Sequence, residues 1–187
     1  MATDHPAVEV LSARDRILHT AHDLFYCDGI RATGIDRVIA ESGVAKLTFY
    51  RHFPSKNDLV RAYLDFRHRR WMAWFADTLA RHGGGPDALV PALGEWLRDP
   101  DYRGCAFINT VGELAGSFPE VIEIARAHKA EVTAAIAAVL PASRKRAGQA
   151  QAIALAIDGA IVRAQYDETP EAALEALARI VKALLKA

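Results

Sequence analysis

In the first 58 residues three apolar-periodic runs are each introduced by a hydroxyl side chain followed three positions later by aspartate: Ser12 with Asp15, Thr33 with Asp36, and Ser55 with Asp58. A hydroxyl that accepts from an unpaired N–H of a first helical turn, with an acidic group at the positive end of the dipole, marks a helix start. Each mark is followed by apolar residues at helical spacing. Ile17, Leu18, Ala21, Leu24 and Phe25 run until Gly29, and Ile35, Val38 and Ile39 run for little more than two turns until Ser42-Gly43. The stretch from Ala45 to Phe53 predicts a further short helix, which Pro54 separates from a long one opening at Ser55 and running toward Arg81.

The remainder obeys the same rule. "HGGGP" at 82–86 reads as a break, and Pro100, Pro119, Pro141 and Pro170 divide the rest of the chain into segments of helical length. Ser117-Phe118-Pro119-Glu120 and Thr169-Pro170-Glu171 read as caps followed by proline in a first turn. Five more helices result, and long strand-like alternations are missing. The expected fold is all-α with about nine helices: a three-helix N-terminal module over residues 10–58 and a larger helical body over 59–187. A hydrophobic fraction of 51% in 187 residues supports a real core. Cys27 and Cys105 are too few for a disulfide framework, no N-terminal segment reads as a secretion signal, and charges interrupt every hydrophobic stretch below the ~20 residues of a membrane span. The expected compartment is the cytoplasm.

Net charge is zero, so any electrostatic function must come from local asymmetry. Residues 1–30 hold two basic and five acidic side chains, whereas 31–70 hold nine basic and four acidic. Two short helices joined through Ser42-Gly43-Val44, the second starting near Lys46, suit a helix-turn-helix whose second helix enters a major groove. Its first turns would present Lys46, Leu47, Thr48 and Tyr50 to base edges, with Arg51 and His52 near the flanking backbone. Phe49 and Phe53, four apart, fall on the opposite face and are expected to pack on Phe25, Val38 and Leu59. Lys56 lies in the first turn of the next helix, where the dipole disfavours a cation by up to about 1 kcal/mol unless a phosphate binds there too. Thr33 and Arg37 are placed to hold a second phosphate. Spacing and charge alone are also compatible with a solvated face of an ordinary helical protein.

The stretch "RDRILHTAHDLFYCDGIRATGIDRVIAESGVAKLTFYRHFPSKNDL" resembles the N-terminal domain of TetR-type bacterial transcriptional regulators. The resemblance spans roughly residues 12 to 60. It is carried by Leu24-Phe25 with Gly29, by Ala40-Glu41-Ser42-Gly43-Val44, and by Phe49-Tyr50-x-His52-Phe53-x-Ser55-Lys56. It implies Thr33 and Lys56 on phosphate, Lys46, Leu47 and Thr48 at or near bases, and Tyr50 and His52 on the DNA backbone; Arg51 matches in position, with a variable role. Ala45 departs from the serine often found there, a lost cap worth about 1 kcal/mol.

The resemblance also implies a small-molecule site and a homodimer in the C-terminal body. In "AGQAQAIALAIDGAIVRAQ", small residues including Gly159 and Ala160 allow close helix approach, while Ile153 and Ile157 form a stripe; Leu174, Leu177 and Val181 form a second. Paired with a two-fold copy these would make a four-helix interface, although the same stripes would equally finish a monomer's core. Trp71, Trp74, Phe75, Trp96, Phe107 and Phe118 are candidates to line a partly apolar effector pocket, with Asn109 in "YRGCAFINT" as a polar contact; the alternative is plain core. Cys105, near a helix start with Arg103 close by, is a candidate pocket residue and a candidate redox or electrophile sensor. His19 and His22 beside Asp23, and His68 among arginines, read as solvated histidines. No metal or other cofactor is expected.

No nucleophile-base-orienter set, metal-ligand spacing or phosphate-binding glycine loop appears, so no enzyme is expected. The expected function is a ligand-responsive regulator, acting as a repressor, that binds a pseudo-palindromic DNA operator as a homodimer. Its reading helices would sit about 34–36 Å apart, and a small molecule in the body would release it by moving helix 4. The alternatives are a redox or electrophile sensor acting through Cys105 and a helical protein-interaction adaptor.

Overall fold

The computed structural model describes residues 11–186; the expected domain start at residue 10 and the N-terminal segment searched for a secretion signal lie outside them. The described residues form nine α-helices and one short 3-10 turn, with no strand among them. The chain divides into two compact units between Tyr63 and Leu64.

The first unit contains α1 (Ala13–Asp28), α2 (Ile35–Ser42), α3 (Lys46–His52) and the opening turns of α4 (Lys56–Arg81). Ser12 caps α1 as its spacing requires, its Oγ accepting from Asp15 N–H at 3.1 Å and donating to the Asp15 carboxylate at 2.6 Å. Ser55 and Asp58 repeat that exchange at the start of α4. The middle signal is a correction. The N-cap of α2 is Gly34, with no side-chain cap, and Thr33 is completely buried. Its hydroxyl donates instead to the carbonyls of Gly29, at 2.8 Å, and Leu24, so it closes the C-terminal end of α1.

Helices α2 and α3 both pack on α1. Their shared core contains Phe25, Val38, Phe49, Phe53 and Leu59, all buried, with the Phe49 and Phe53 rings 6.2 Å apart. Tyr63 presents an edge to Phe25 at 5.4 Å, which is why the first turns of α4 complete this unit.

The second unit holds the rest of α4, the turn at Pro86–Ala88, α5 (Leu89–Leu97), α6 (Ala106–Leu114), α7 (Glu120–Val139), α8 (Arg146–Ala164) and α9 (Glu171–Lys186). Helix α8 packs between α7 and α9, α6 packs on α7, and α5 meets α8 and α9. The 3-10 turn comes directly after the glycine break at 83–85, where only a linker was expected. Helix α7 begins two residues later than a Ser117 cap implied: Pro119 is its N-cap, and the Ser117 hydroxyl turns back to the Leu114 carbonyl. Gly104 takes φ +86°, a left-handed conformation that favours glycine, and a Cβ there would push aside the end of the Gln165 side chain.

The expected dimer stripe needs correction. Ile153, Ile157, Ala160, Leu174, Leu177 and Val181 are buried within the single chain, so they build its own core. Gly159 alone of that set is exposed. The apolar side chains that α8 and α9 leave open are Leu155, 75% exposed, Val162 and Ile180. A pattern repeating every four residues fixes a face of a helix but not which neighbour covers it.

Candidate functional site

The turn between α2 and α3 depends on Gly43, whose φ of +64° lies in the left-handed region and whose N–H closes on the Ala40 carbonyl at 3.3 Å. Helix α3 then starts at Lys46 from Ala45, which supplies no side-chain cap. Burial of Phe49 and Phe53 fixes the rotation of α3 and turns the other side chains outward. Leu47 is 82% exposed, Lys46, Tyr50 and Arg51 are exposed, and Thr48 and His52 are half-buried. An exposed leucine beside a lysine suits a groove that offers thymine methyl groups and base acceptors.

Lys46 and Arg37 are held by carboxylates. Lys46 Nζ donates to Asp36 at 3.2 Å, an exposed pair of small energetic weight that DNA can replace easily. Arg37 is engaged more firmly: its Nη1 donates to Asp28 at 2.6 Å and its Nε to Glu41 at 2.7 Å. Those hydrogen bonds, Glu41 first and Asp28 second, raise its pKa. A phosphate contact by Arg37 would therefore have to displace two carboxylates. Thr33 is corrected as a phosphate ligand through its side chain, since its hydroxyl is buried and committed to α1. Lys56 donates to the Thr33 carbonyl at 2.7 Å, which holds the ammonium beside the loop entering α2.

In the second unit a concavity is lined by Arg67 and Trp71 of α4, Trp96 of α5, Cys105, Ala106 and Phe107 at the start of α6, His128, Lys129 and Val132 of α7, and Ile157, Asp158 and Ile161 of α8. Of the expected pocket residues Trp71, Trp96, Cys105 and Phe107 line it. Trp74, Phe75, Asn109 and Phe118 do not. Phe75 is buried as a second layer, stacked on Trp71 at 4.7 Å, and Trp74 lies against Trp71 and Trp96. Asn109 donates to the Arg103 carbonyl and accepts from Gln165, and Phe118 is buried elsewhere in the core. Cys105 is buried at the N-cap position of α6.

Sequence reasoning missed His128. Its imidazole is 4% exposed and lies parallel to the Phe107 ring at 3.7 Å. His128 Nδ1 and His68 Nδ1 are 3.1 Å apart, and His68 Nε2 lies 3.3 Å from the Glu131 carboxylate. Burial, followed by the positive charges of Lys129, His68 and Arg67, pushes the His128 pKa down to about 3, so this ring is neutral at pH 7. His68 and His128 are 60 positions apart, and no local pattern links them. Among the described residues no group of three or more His, Cys, Asp or Glu could hold a metal ion, and no helix is long and apolar enough to cross a membrane.

A compact three-helix unit with two short helices around a left-handed glycine, and a basic, exposed outer face on the second, defines a helix-turn-helix DNA-binding protein. Residues 17–63 match the family model for bacterial regulatory proteins of the tetR family. A TetR-family transcriptional regulator from Streptomyces coelicolor is 30% identical over 93% of this chain and 88% of its own, with a TM-score of 0.82. The multidrug-binding protein EbrR, solved with malachite green, is 25% identical over 89% of this chain and 96% of its own, with a TM-score of 0.68. An uncharacterized HTH-type transcriptional regulator of Lactococcus lactis subsp. lactis is 25% identical over 109 residues, a match that spans only 56% of that protein. The chain belongs to the TetR family of transcriptional regulators, which bind DNA and are not enzymes.

Proposed function

We propose that this chain is a ligand-responsive repressor that binds a pseudo-palindromic operator as a homodimer and leaves it when a small molecule occupies the second unit. The observation that carries the reading is helix α4. One uninterrupted helix bears Lys56 at its first turn and Arg67 and Trp71, two cavity residues, further along. A ligand that changes the position of those side chains acts on the same element that carries the phosphate-side lysine. The dye held by EbrR, a relative over nearly the full chain, supports a cavity of this kind as an effector site.

Lys46, Leu47 and Thr48 are the base-side candidates, with Tyr50, Arg51, His52 and Lys56 on the backbone. The exposed Leu155, Gly159, Val162 and Ile180 are the surface on which a second copy would pack. Thermodynamically the effector must bind the DNA-incompetent form more tightly, and the operator must weaken effector binding by the same factor.

The test is selection of genomic fragments by the purified protein, then anisotropy titration of the best fragment with and without candidate effectors. An inverted repeat bound far above scrambled competitor, and released by a compound that binds the protein more weakly in the operator's presence, is the expected result. Equal affinities with and without operator would overturn ligand control.

A further inference from the structure

We propose that the cavity of the second unit takes an aromatic ligand bearing a hydrogen-bond acceptor, which the indole N–H of Trp71 recognises. This rests on the reading of the cavity as the effector site and names the group by which that site selects its ligand.

Trp71 lines the cavity from α4. Its Nε1–H is buried with no hydrogen-bond partner among the described residues. A buried donor left unpaired is costly, and folded chains satisfy the great majority of them. The rings packed around Trp71 do not serve it: Phe75 stacks on it at 4.7 Å, Trp74 lies at 6.0 Å, and Trp96 meets it edge-on at 5.6 Å. Phenylalanine has no acceptor atom, and a second indole is a donor only. What completes Trp71 is an acceptor from outside the chain, such as a carbonyl or ether oxygen or an aromatic ring nitrogen. A neutral acceptor and an anionic one both satisfy that contact, so the acceptor defines the class and charge does not.

The walls set the rest of the ligand. Beside Trp71 and Trp96 the lining contains Phe107 and His128, whose rings lie parallel at 3.7 Å. Burial is the first cause that pushes the His128 pKa down to about 3, so this pair is an uncharged surface at pH 7. Aromatic faces and edges suit a flat ring more than a flexible chain.

Size narrows the class further. Including its mouth the concavity encloses about 370 Å³, but only about 20 Å³ of the interior admits the centre of a water molecule. That is room for about one water, so a ring enters by displacing side chains at the mouth, and a single ring needs the least movement.

The experiment compares acetophenone with α-methylstyrene, which keeps the ring and shape and replaces the C=O by C=CH2. Each is titrated by calorimetry into the full-length protein without DNA. Acetophenone is expected to bind about tenfold more tightly, because α-methylstyrene leaves the buried donor unpaired. Trp71→Phe, which keeps an aromatic wall and removes the donor, should bind both compounds with affinities within about twofold of each other. A second measurement needs no folded variant: in protein labelled with 15N-tryptophan, one indole N–H signal should move downfield with acetophenone and not with α-methylstyrene. Equal affinities in the native protein, no binding of acetophenone at millimolar concentration, or no indole signal that separates the two compounds would overturn the proposal. A preference for acetophenone that survives in Trp71→Phe would do the same, since Trp71 would then shape the wall without selecting the acceptor. A separate operator titration keeps the two readings apart. Acetophenone that binds through Trp71 yet leaves operator affinity unchanged upholds the recognition and removes the regulatory role.

Discussion

Lys56 Nζ donates to the main-chain carbonyl of Thr33 at 2.7 Å, tying the first residue of α4 to the loop that leads into α2. The positive ends of two helix dipoles and an ammonium group therefore belong to one small region, an arrangement that favours an anion. Lys56→Ala should weaken binding to all DNA sequences alike and lower the slope of log affinity against log salt by about 1. Anisotropy titrations at several salt concentrations, on operator and on scrambled duplex, check this.

Lys46 and Leu47 should behave differently. They project from the first turn of α3 and contribute nothing to the buried face. Replacing Lys46 with alanine should reorder the preferred sequences in a fragment selection, with about 1–3 kcal/mol lost at the affected base pair. A uniform loss across sequences would assign Lys46 to phosphate instead.

Ala45 is the N-cap of α3 and has no side-chain acceptor. Ala45→Ser should add about 1 kcal/mol of stability, read as a higher urea midpoint at unchanged slope.

His128 makes stability depend on pH. The folded side chain titrates at about 3 against an ordinary value of 6.5, so between those values the unfolded chain binds a proton that the folded chain does not. This contribution is complete above pH 6.5 and is lost as pH falls toward 3, by up to about 1.4 kcal/mol per pH unit. Urea unfolding at about pH 7, 6 and 5 should show that slope, and His128→Gln should lose it. Equal slopes in the two proteins would assign the pH dependence to another group.

On α8 and α9, exposure separates two kinds of apolar residue. Leu155→Glu should lower the association constant of the proposed homodimer while leaving the helical circular dichroism signal unchanged. Leu177→Glu, which buries a charge in the chain's own core, should unfold it. Sedimentation equilibrium with thermal melts distinguishes these outcomes.

The helix ends of the first unit were legible because their causes are local. Ser12 and Ser55 sit three residues from their aspartates, and Gly29 and Gly43 take conformations that few other residues accept. Thr33 carried the same signal with a different outcome, since the carbonyls that claim its hydroxyl belong to the end of α1, four and nine residues back. The aromatic composition of the cavity was legible, but its membership was not. Phe75 and Trp71 are four apart on α4, yet one lies behind the other once α5 supplies Trp96. His128 lay beyond any pattern, because its neutral state is set first by exclusion from water and then by charged residues from two helices.

The rotation of α3 about its axis keeps anchoring and display on separate residues. Phe49 and Phe53 hold the helix in place, while the side chains at 46, 47 and 51 are exposed. Exchanging those three positions for another set should re-address the protein to a different DNA site at nearly constant stability, which would make the first unit a mount on which the address can be rewritten.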